Sequence, residues 1–490
     1  MKPRLPKLGA IFLVAAISLA AAPAGRDNPG DLKLIYESWE NTLFQGKKVG
    51  FSFMKVERGE EGYRVTGRSV LKLILMKSPQ DMSFFSEAFL DPHGALVKFN
   101  YLQTMQKQRQ SIQGELSDGV ITMSITGAGG TSHTKVKVPG NVNLGHIIEY
   151  FFMKDLKVGK TITAPVFVEA LRAVDNMKLT VTGKKKIRVN RKIDEVFVVE
   201  SEMQGMKTYT NVTEDGRKVS GSSLMGITFV QTTEKDAVKL SSATVPITSL
   251  ITFSLITPSR KIETPAKLKG LKVTLEGLST PEIISDYRQK PGKPKRVLDS
   301  KGKRTFSVPV ATIASSPTKS LSIKEASLGM EEFLKASPEI QSGNKLIMKT
   351  TRQIVGKEKD AWAASKMINQ WVFKNLAKEF VDSFTAVDVL LVRKGECQSH
   401  TNLFVALARA AGIPSRQAGG LVYSPSNGGF LYHAWPEVFV GEWVALDPTL
   451  GQDIADPTHI KLIEGGVESL MSLMRYITKL DIIVEKTDYR

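Results

Sequence analysis

A two-residue rhythm governs the first half of this chain. Between residues 30 and 245, runs such as Lys178-Leu179-Thr180-Val181-Thr182 and Glu195-Val196-Phe197-Val198-Val199 put alternate side chains on opposite faces of an extended backbone. Glycine, asparagine and aspartate punctuate them, as at Asp118-Gly119 and Glu214-Asp215-Gly216, where reversals are expected. Strands of this kind bury a face only by pairing in number, so a curved sheet, sandwich or open barrel is expected. One helix is expected to interrupt them around His146 to Lys154.

With 490 residues the chain is too long for one core, and its texture shifts twice more. Residues 246 to 330 mix short strands such as Leu271-Lys272-Val273-Thr274-Leu275 with a basic Pro/Gly stretch from Gln289 to Arg296. They read as a small β subdomain or a linker. From residue 331 to 490 helical spacing enters. Ser337-Pro338-Glu339 reads as an N-cap with Pro at the first helical position. Beyond it, Ile354, Ala361, Ala364, Met367, Ile368, Trp371 and Val372 recur at intervals that suit helix faces.

Charge and the N-terminal segment restrict where such a protein works. Sixty-seven Lys and Arg against 49 Asp and Glu give a net charge of +18, which suits anionic cell-envelope polymers or a membrane surface. Nucleic acid is not an expected partner, because the lysines are dispersed and the chain starts like an export signal. Lys2, Arg4 and Lys7 precede an apolar run from Leu8 to Ala22, and Ala22-Pro23-Ala24 offers a cleavage site. That run is shorter than the roughly 20 residues of a spanning helix, so cleavage is expected over retention as an anchor. No cysteine comes after it to carry a lipid. A periplasmic or secreted protein is expected, with residues 1–24 removed near Ala24 and a mature charge of +15 once Lys2, Arg4 and Lys7 are lost.

The chain has a single cysteine, Cys397. Exported proteins usually pair their cysteines. A lone one is buried and inert, bridges to another chain, or is a reactive thiol. Its neighbours favour the last. Gly395-Glu396-Cys397 leads into a helix striped by Leu403, Leu407 and Ala410 or Ala411, and Gly412-Ile413-Pro414 ends it. In that first turn, free backbone N–H groups and the helix dipole are expected to favour a thiolate and to donate to an oxyanion. A thiolate nucleophile also needs a base that can later act as an acid. His433 stands at the start of an apparent strand, Gly441-Glu442 makes a turn, and Trp443 to Thr449 returns beside it. A hairpin of this kind can put Asp447 next to His433.

Four patterns then occur in order: Gly-x-Cys-x-x-His-x-x-Leu, Arg-Ala-x-Gly-Ile-Pro-x-Arg, His-x-Trp-x-Glu-Val and Trp-x-x-x-Asp-Pro-Thr. Over residues 335 to 470 this set resembles the bacterial transglutaminase-like superfamily. The resemblance implies an α+β papain-like, transglutaminase-like catalytic domain there; with the β-rich N-terminal region read from the alternation, a multidomain protein is expected. It also implies Cys397 as nucleophile, His433 as general acid/base and Asp447 as its orienting partner. The segment Asp456-Pro457-Thr458-His459-Ile460 resembles the stretch after the aspartate in one bacterial branch. His400, one turn beyond Cys397, competes for the base role; the resemblance implies a supporting place for it. Glu437 and Trp435 could line the cleft or simply pack, and Trp371 could shape the oxyanion site or the core.

A peptide or protein amide is the expected substrate, cleaved or transferred through a thioester on Cys397, with hydrolysis favoured. The competing expectation is a binding or scaffold protein that keeps the fold without turnover. No cofactor or metal is expected. Gly62-x-x-x-x-Gly67-Arg68-Ser69 lacks the lysine of a phosphate loop, and neither a calcium loop nor a His-Glu-x-x-His zinc motif occurs.

Overall fold

The computed structural model describes residues 32–490 apart from 76–77, 106–107, 190–191, 205, 224–225, 241–244, 247–254, 300–301, 303, 380–384, 467–472 and 474–479. The segment expected to act as an export signal lies outside the described residues. Among those described, the protein is β-rich with few helices.

The two-residue rhythm becomes one large antiparallel meander. Strands from Lys33–Phe44 to Gly130–Lys137 pair each with the next, and the first also pairs with Ile227–Thr232, from which the order runs back to Asn143–Leu144. The result is a sixteen-stranded sheet, with Val245–Pro246 attached in parallel to Gly62–Leu75. Continuous pairing selects the curved sheet over a two-sheet sandwich.

The sheet curls around the helix Gly145–Phe152. Ile147 and Tyr150 pack with Val65, Phe99 and Ile121 from one arm of the meander. Phe152 packs with Val166, Leu179 and Val199 from the other. An apolar helix held between both arms gives the concave face a core without a second sheet.

A second sheet is built from Leu268–Leu278, Gln289–Pro291, Lys295–Leu298 and Arg304–Ile313, and its edge strand is the chain's last, Asp481–Tyr489. Its core, including Val273, Leu275 and Val308, merges with Leu421, Phe430 and Ile460 of the third sheet. The region between the large sheet and the helices is therefore not a tether but part of the platform under the site.

That third sheet has the order Trp443–Ala445, Gly429–Phe439, Ser415–Ser424, Ile460–Glu464. Against it lies the helix Cys397–Ala410, whose Leu403, Phe404, Val405 and Leu407 are fully buried with Val438, Val440 and Val444. Three further helices surround it: Lys345–Val355, Ala361–Asn375 and Ala386–Val392. Each starts at a side-chain cap. Asn344 accepts from Leu346 N at 2.8 Å, Asp360 from Ala363 N at 2.7 Å, and Thr385 forms a capping box with Asp388.

The helix expected to open at Ser337-Pro338-Glu339 opens later, at Lys345. Ser337 accepts from Ile340 N at 3.3 Å and closes only a turn. Glu339 is paired with Arg172 of the large sheet's side, a second turn follows at Ser342-Gly343, and the helix starts only where Asn344 caps it. Gly412, at φ 87°, follows the cysteine helix in the left-handed conformation expected of a terminating glycine.

Candidate active site

The hairpin partner of the cysteine helix brings two of the singled-out residues together. In the strand Gly429–Phe439, His433 stands opposite Gly420. A Cβ on Gly420 would lie 2.0 Å from the Ile460 carbonyl oxygen, so only glycine lets the neighbouring strand approach there. Trp443–Ala445 returns antiparallel to Glu437–Phe439, and the chain then leaves the strand so that Asp447 bridges to Gln452. This offset places Asp447 Oδ2 2.8 Å from His433 Nε2.

Asp447 is fully buried and its carboxylate is completely occupied. Oδ1 accepts from Thr449 N at 2.7 Å and Leu450 N at 2.9 Å. Oδ2 is shared between His433 and His459, whose Nε2 lies 3.0 Å away. Burial alone would raise the Asp447 pKa, but the two imidazoles outweigh it and hold the carboxyl well below its usual range. His459 is itself fully buried. Its Nδ1 meets the Asp456 carbonyl at 3.0 Å, and burial, which would lower its pKa, yields to Asp447 and Asp456, pushing it up to about 9. At neutral pH His459 is therefore a buried imidazolium between two carboxylates. Asp456 is held low by the same histidine against its own burial.

Cys397 is the first residue of its helix and is half-buried. The Ala434 backbone N–H, next to His433, is turned toward its sulfur. Cys397 and His433 line one cleft of about 550 Å³. Its walls are largely apolar, from Pro265 and Ala266 on one side to Val422, Leu431 and Leu450 on the other, with Lys378 and Glu379 at hand. Pro265 and Ala266 precede the helical third of the chain, so the second sheet's leading segment contributes to the cleft.

The electrostatics at Cys397 differ from expectation. Glu396 caps the helix, accepting from Gln398 N at 2.8 Å and from Ser399 N at 3.1 Å, and the thiol reaches its Oε2 at 3.3 Å. Two of the N–H groups expected to stabilise a thiolate or an oxyanion are thus taken by a carboxylate. Burial first, and then the Glu396 charge, push the Cys397 thiol well above its ordinary pKa.

His400 is fully buried and its Nδ1 lies 2.8 Å from the Glu396 carbonyl; it does not line the cleft. Burial lowers its pKa. Trp435 is buried behind the site among Ala418, Ala445 and Ala455, stacked near His433 and edge-on to His459. Glu437 is fully buried under Arg416, whose Nε lies 2.8 Å away, and Lys461 at 3.1 Å. Trp371 packs at the margin of the helical core with Arg393 over its ring. Neither tryptophan lines the cleft, and nor does Glu437. His459, by contrast, emerged from the sequence only as part of a trailing segment. One side-chain atom each from His433, Asp447 and His459 lies within 4.8 Å of the other two, a spacing that a metal could also use. The hydrogen bonds through Asp447 Oδ2 account for it here.

Residues 348–448 match the transglutaminase-like superfamily, a span that includes Cys397, His433 and Asp447. An uncharacterised protein of Haemophilus influenzae is 33% identical over 104 residues, 19% of this chain and 27% of that relative. The chain thus spans about a quarter of the relative it matches. A candidate cysteine protease from Cytophaga hutchinsonii has 16% identity and a TM-score of 0.31, covering 46% of this chain and 90% of that one. A β-barrel-like protein of unknown function from Brucella abortus has 12% identity and a TM-score of 0.31, covering 40% and 94%. Scores this low carry no argument about fold or activity.

Proposed function

We propose that this chain, with its transglutaminase-like residues 348–448, is a cysteine enzyme that cleaves or transfers amide acyl groups through Cys397, with hydrolysis favoured. The observation that carries the reading is the 2.8 Å contact between His433 and the buried Asp447, on the wall of a cleft that also holds Cys397. Asp447 fixes the imidazole through Nε2 and leaves Nδ1 free to exchange a proton. His433 takes the proton of the Cys397 thiol as sulfur attacks the amide carbonyl, and a tetrahedral oxyanion forms. Collapse breaks the C–N bond, and the imidazolium gives its proton to the leaving amine. The thioester on Cys397 then passes its acyl group to water, releasing a carboxylic acid, or to a second amine, giving a new amide. The apolar cleft walls suit an acyl donor with apolar side chains beside the scissile bond.

The expected setting is exported, periplasmic or secreted, with a signal removed near Ala24 and the strongly basic mature chain favouring anionic envelope polymers or a membrane surface. One observation favours the competing scaffold reading: the Cys397 sulfur faces the Glu396 carboxylate at 3.3 Å, and burial and that charge push the thiol above its ordinary pKa. Incubating the protein with a peptide-amide library, with and without added amine, discriminates. Amine release that produces free acid and vanishes in Cys397→Ala supports the hydrolase. New amides that form only with added amine make it a transferase. Equal activity in both proteins sinks the nucleophile assignment.

A further inference from the structure

We propose that Glu396 is a positioning residue that latches Cys397 as a resting thiol, and that its carboxylate must swing away before sulfur can attack. The role in turnover rests on the cysteine-enzyme reading; the latch itself rests on geometry. A helix N-terminus beneath a nucleophile usually offers its N–H groups to the developing anion. Here the residue before the nucleophile has folded back onto them. One oxygen of Glu396 accepts from Gln398 N at 2.8 Å and also faces the Cys397 sulfur at 3.3 Å. The other accepts from Ser399 N and Ser399 Oγ, both at 3.1 Å. The dipole that would favour a thiolate is spent on a carboxylate, and that carboxylate repels a second negative charge beside it.

The surrounding elements do not reverse this. Asp447, behind His433, adds negative charge from the hairpin, and Asp456 lines the same cleft. Lys378 and Glu379 reach the cleft together from the strand Ala377–Lys378 and its end, contributing opposite charges. His433 faces the cleft from the hairpin, and Tyr423 and Tyr432 from the sheet. His400, on the same helix, is turned back toward its own backbone. Gly395 lets the turn close: a Cβ there would meet Ser399 Cβ at 2.3 Å, so only glycine brings residues 395 to 399 together. Rotating the Glu396 side chain frees Gln398 N and Ser399 N, and removes the charge beside sulfur in the same motion. An acyl donor whose carbonyl oxygen takes those N–H groups thus drives the latch open. The site becomes reactive when occupied and resists oxidants or alkylating agents when empty.

The test is the pH profile of Cys397 alkylation by iodoacetamide, each profile normalised to its own alkaline plateau. Wild type is compared with E396Q and E396S, which keep an uncharged cap oxygen, and with the urea-unfolded chain. The expected result is a native profile displaced to higher pH than the unfolded chain. Both variants should move back to lower pH, with alkylation at pH 7 about tenfold faster than wild type. Variant profiles that superimpose on wild type overturn the latch. Should neither variant fold, a wild-type profile lying at or below that of the unfolded chain overturns it. Amide turnover separates the two proposals. Cys397-dependent turnover with superimposed profiles sinks the latch alone, and shifted profiles without Cys397-dependent turnover sink the enzyme alone.

Discussion

At the scale of single residues, the site depends on how charge is distributed around Asp447. His459 has its pKa raised to about 9, above the roughly 6.5 of an unfolded histidine. Its protonated form is therefore bound more tightly in the folded state. The stability it contributes is complete below about pH 6.5 and is lost as pH rises through about 9. Asp447 and Asp456 are depressed, so their contribution is present above the unfolded carboxylate range and fades on acidification. Replacing His459 with Gln should flatten the alkaline limb of a urea-midpoint curve measured between pH 6 and 10. Parallel limbs in wild type and variant would contradict the buried imidazolium. That Cys397, His433 and Asp447 come near one cleft was legible in motif order, because their spacing reflects a helix followed by a hairpin. The contact of His459 with Asp447 could not, because it depends on the chain leaving the strand after Ala445 and bridging Asp447 to Gln452. The Glu396 contact was hidden for a different reason: glutamate is not a usual cap, and only its rotamer shows that it both caps the helix and faces sulfur.

At the scale of elements, periodicity was the dependable guide. The stripe of Leu403 and Leu407 marks the buried face of the cysteine helix, and the short helix expected near residues 146–154 lies at Gly145–Phe152. Helix starts were harder. Ser337-Pro338 has the chemistry of a start, yet Glu339 is engaged by Arg172 across the fold and the helix waits for Asn344. The Ser337 hydroxyl closes a turn as its chemistry allows, but a second turn at Ser342-Gly343 intervenes before Asn344 supplies the cap. The cysteine helix holds the nucleophile through its packing, so truncating Leu407 to Ala should cost about 2–5 kcal/mol. Urea denaturation reads that loss, and a change under about 0.5 kcal/mol would contradict the packing described.

At the scale of the whole molecule, the strand character of the N-terminal half was legible, but its closure around one helix was not. Alternation specifies a buried face without saying which distant strand completes it. Equally, nothing local announces that Asp481–Tyr489 returns to edge the second sheet. The large sheet is joined to the helical part through Arg172 and Glu339, both largely buried, and through Asn344 Nδ2, 3.3 Å from the Gly129 carbonyl. Removing one partner of such a pair leaves the other charge poorly compensated. Arg172→Ala should therefore raise hydrogen exchange in the 127–130 turn and around residues 340–345, while the interior of the large sheet stays protected. Unchanged exchange at that junction would show that the ion pair does not hold it.

The central claim is that Cys397 attacks amide carbonyls with His433 and Asp447 behind it. Intact-mass spectrometry of the protein quenched in acid during reaction with an amide substrate tests it directly. The expected result is a mass increase equal to the acyl group, mapped to the peptide bearing Cys397 and absent from Cys397→Ala. Turnover that proceeds in Cys397→Ala at the wild-type rate would contradict it.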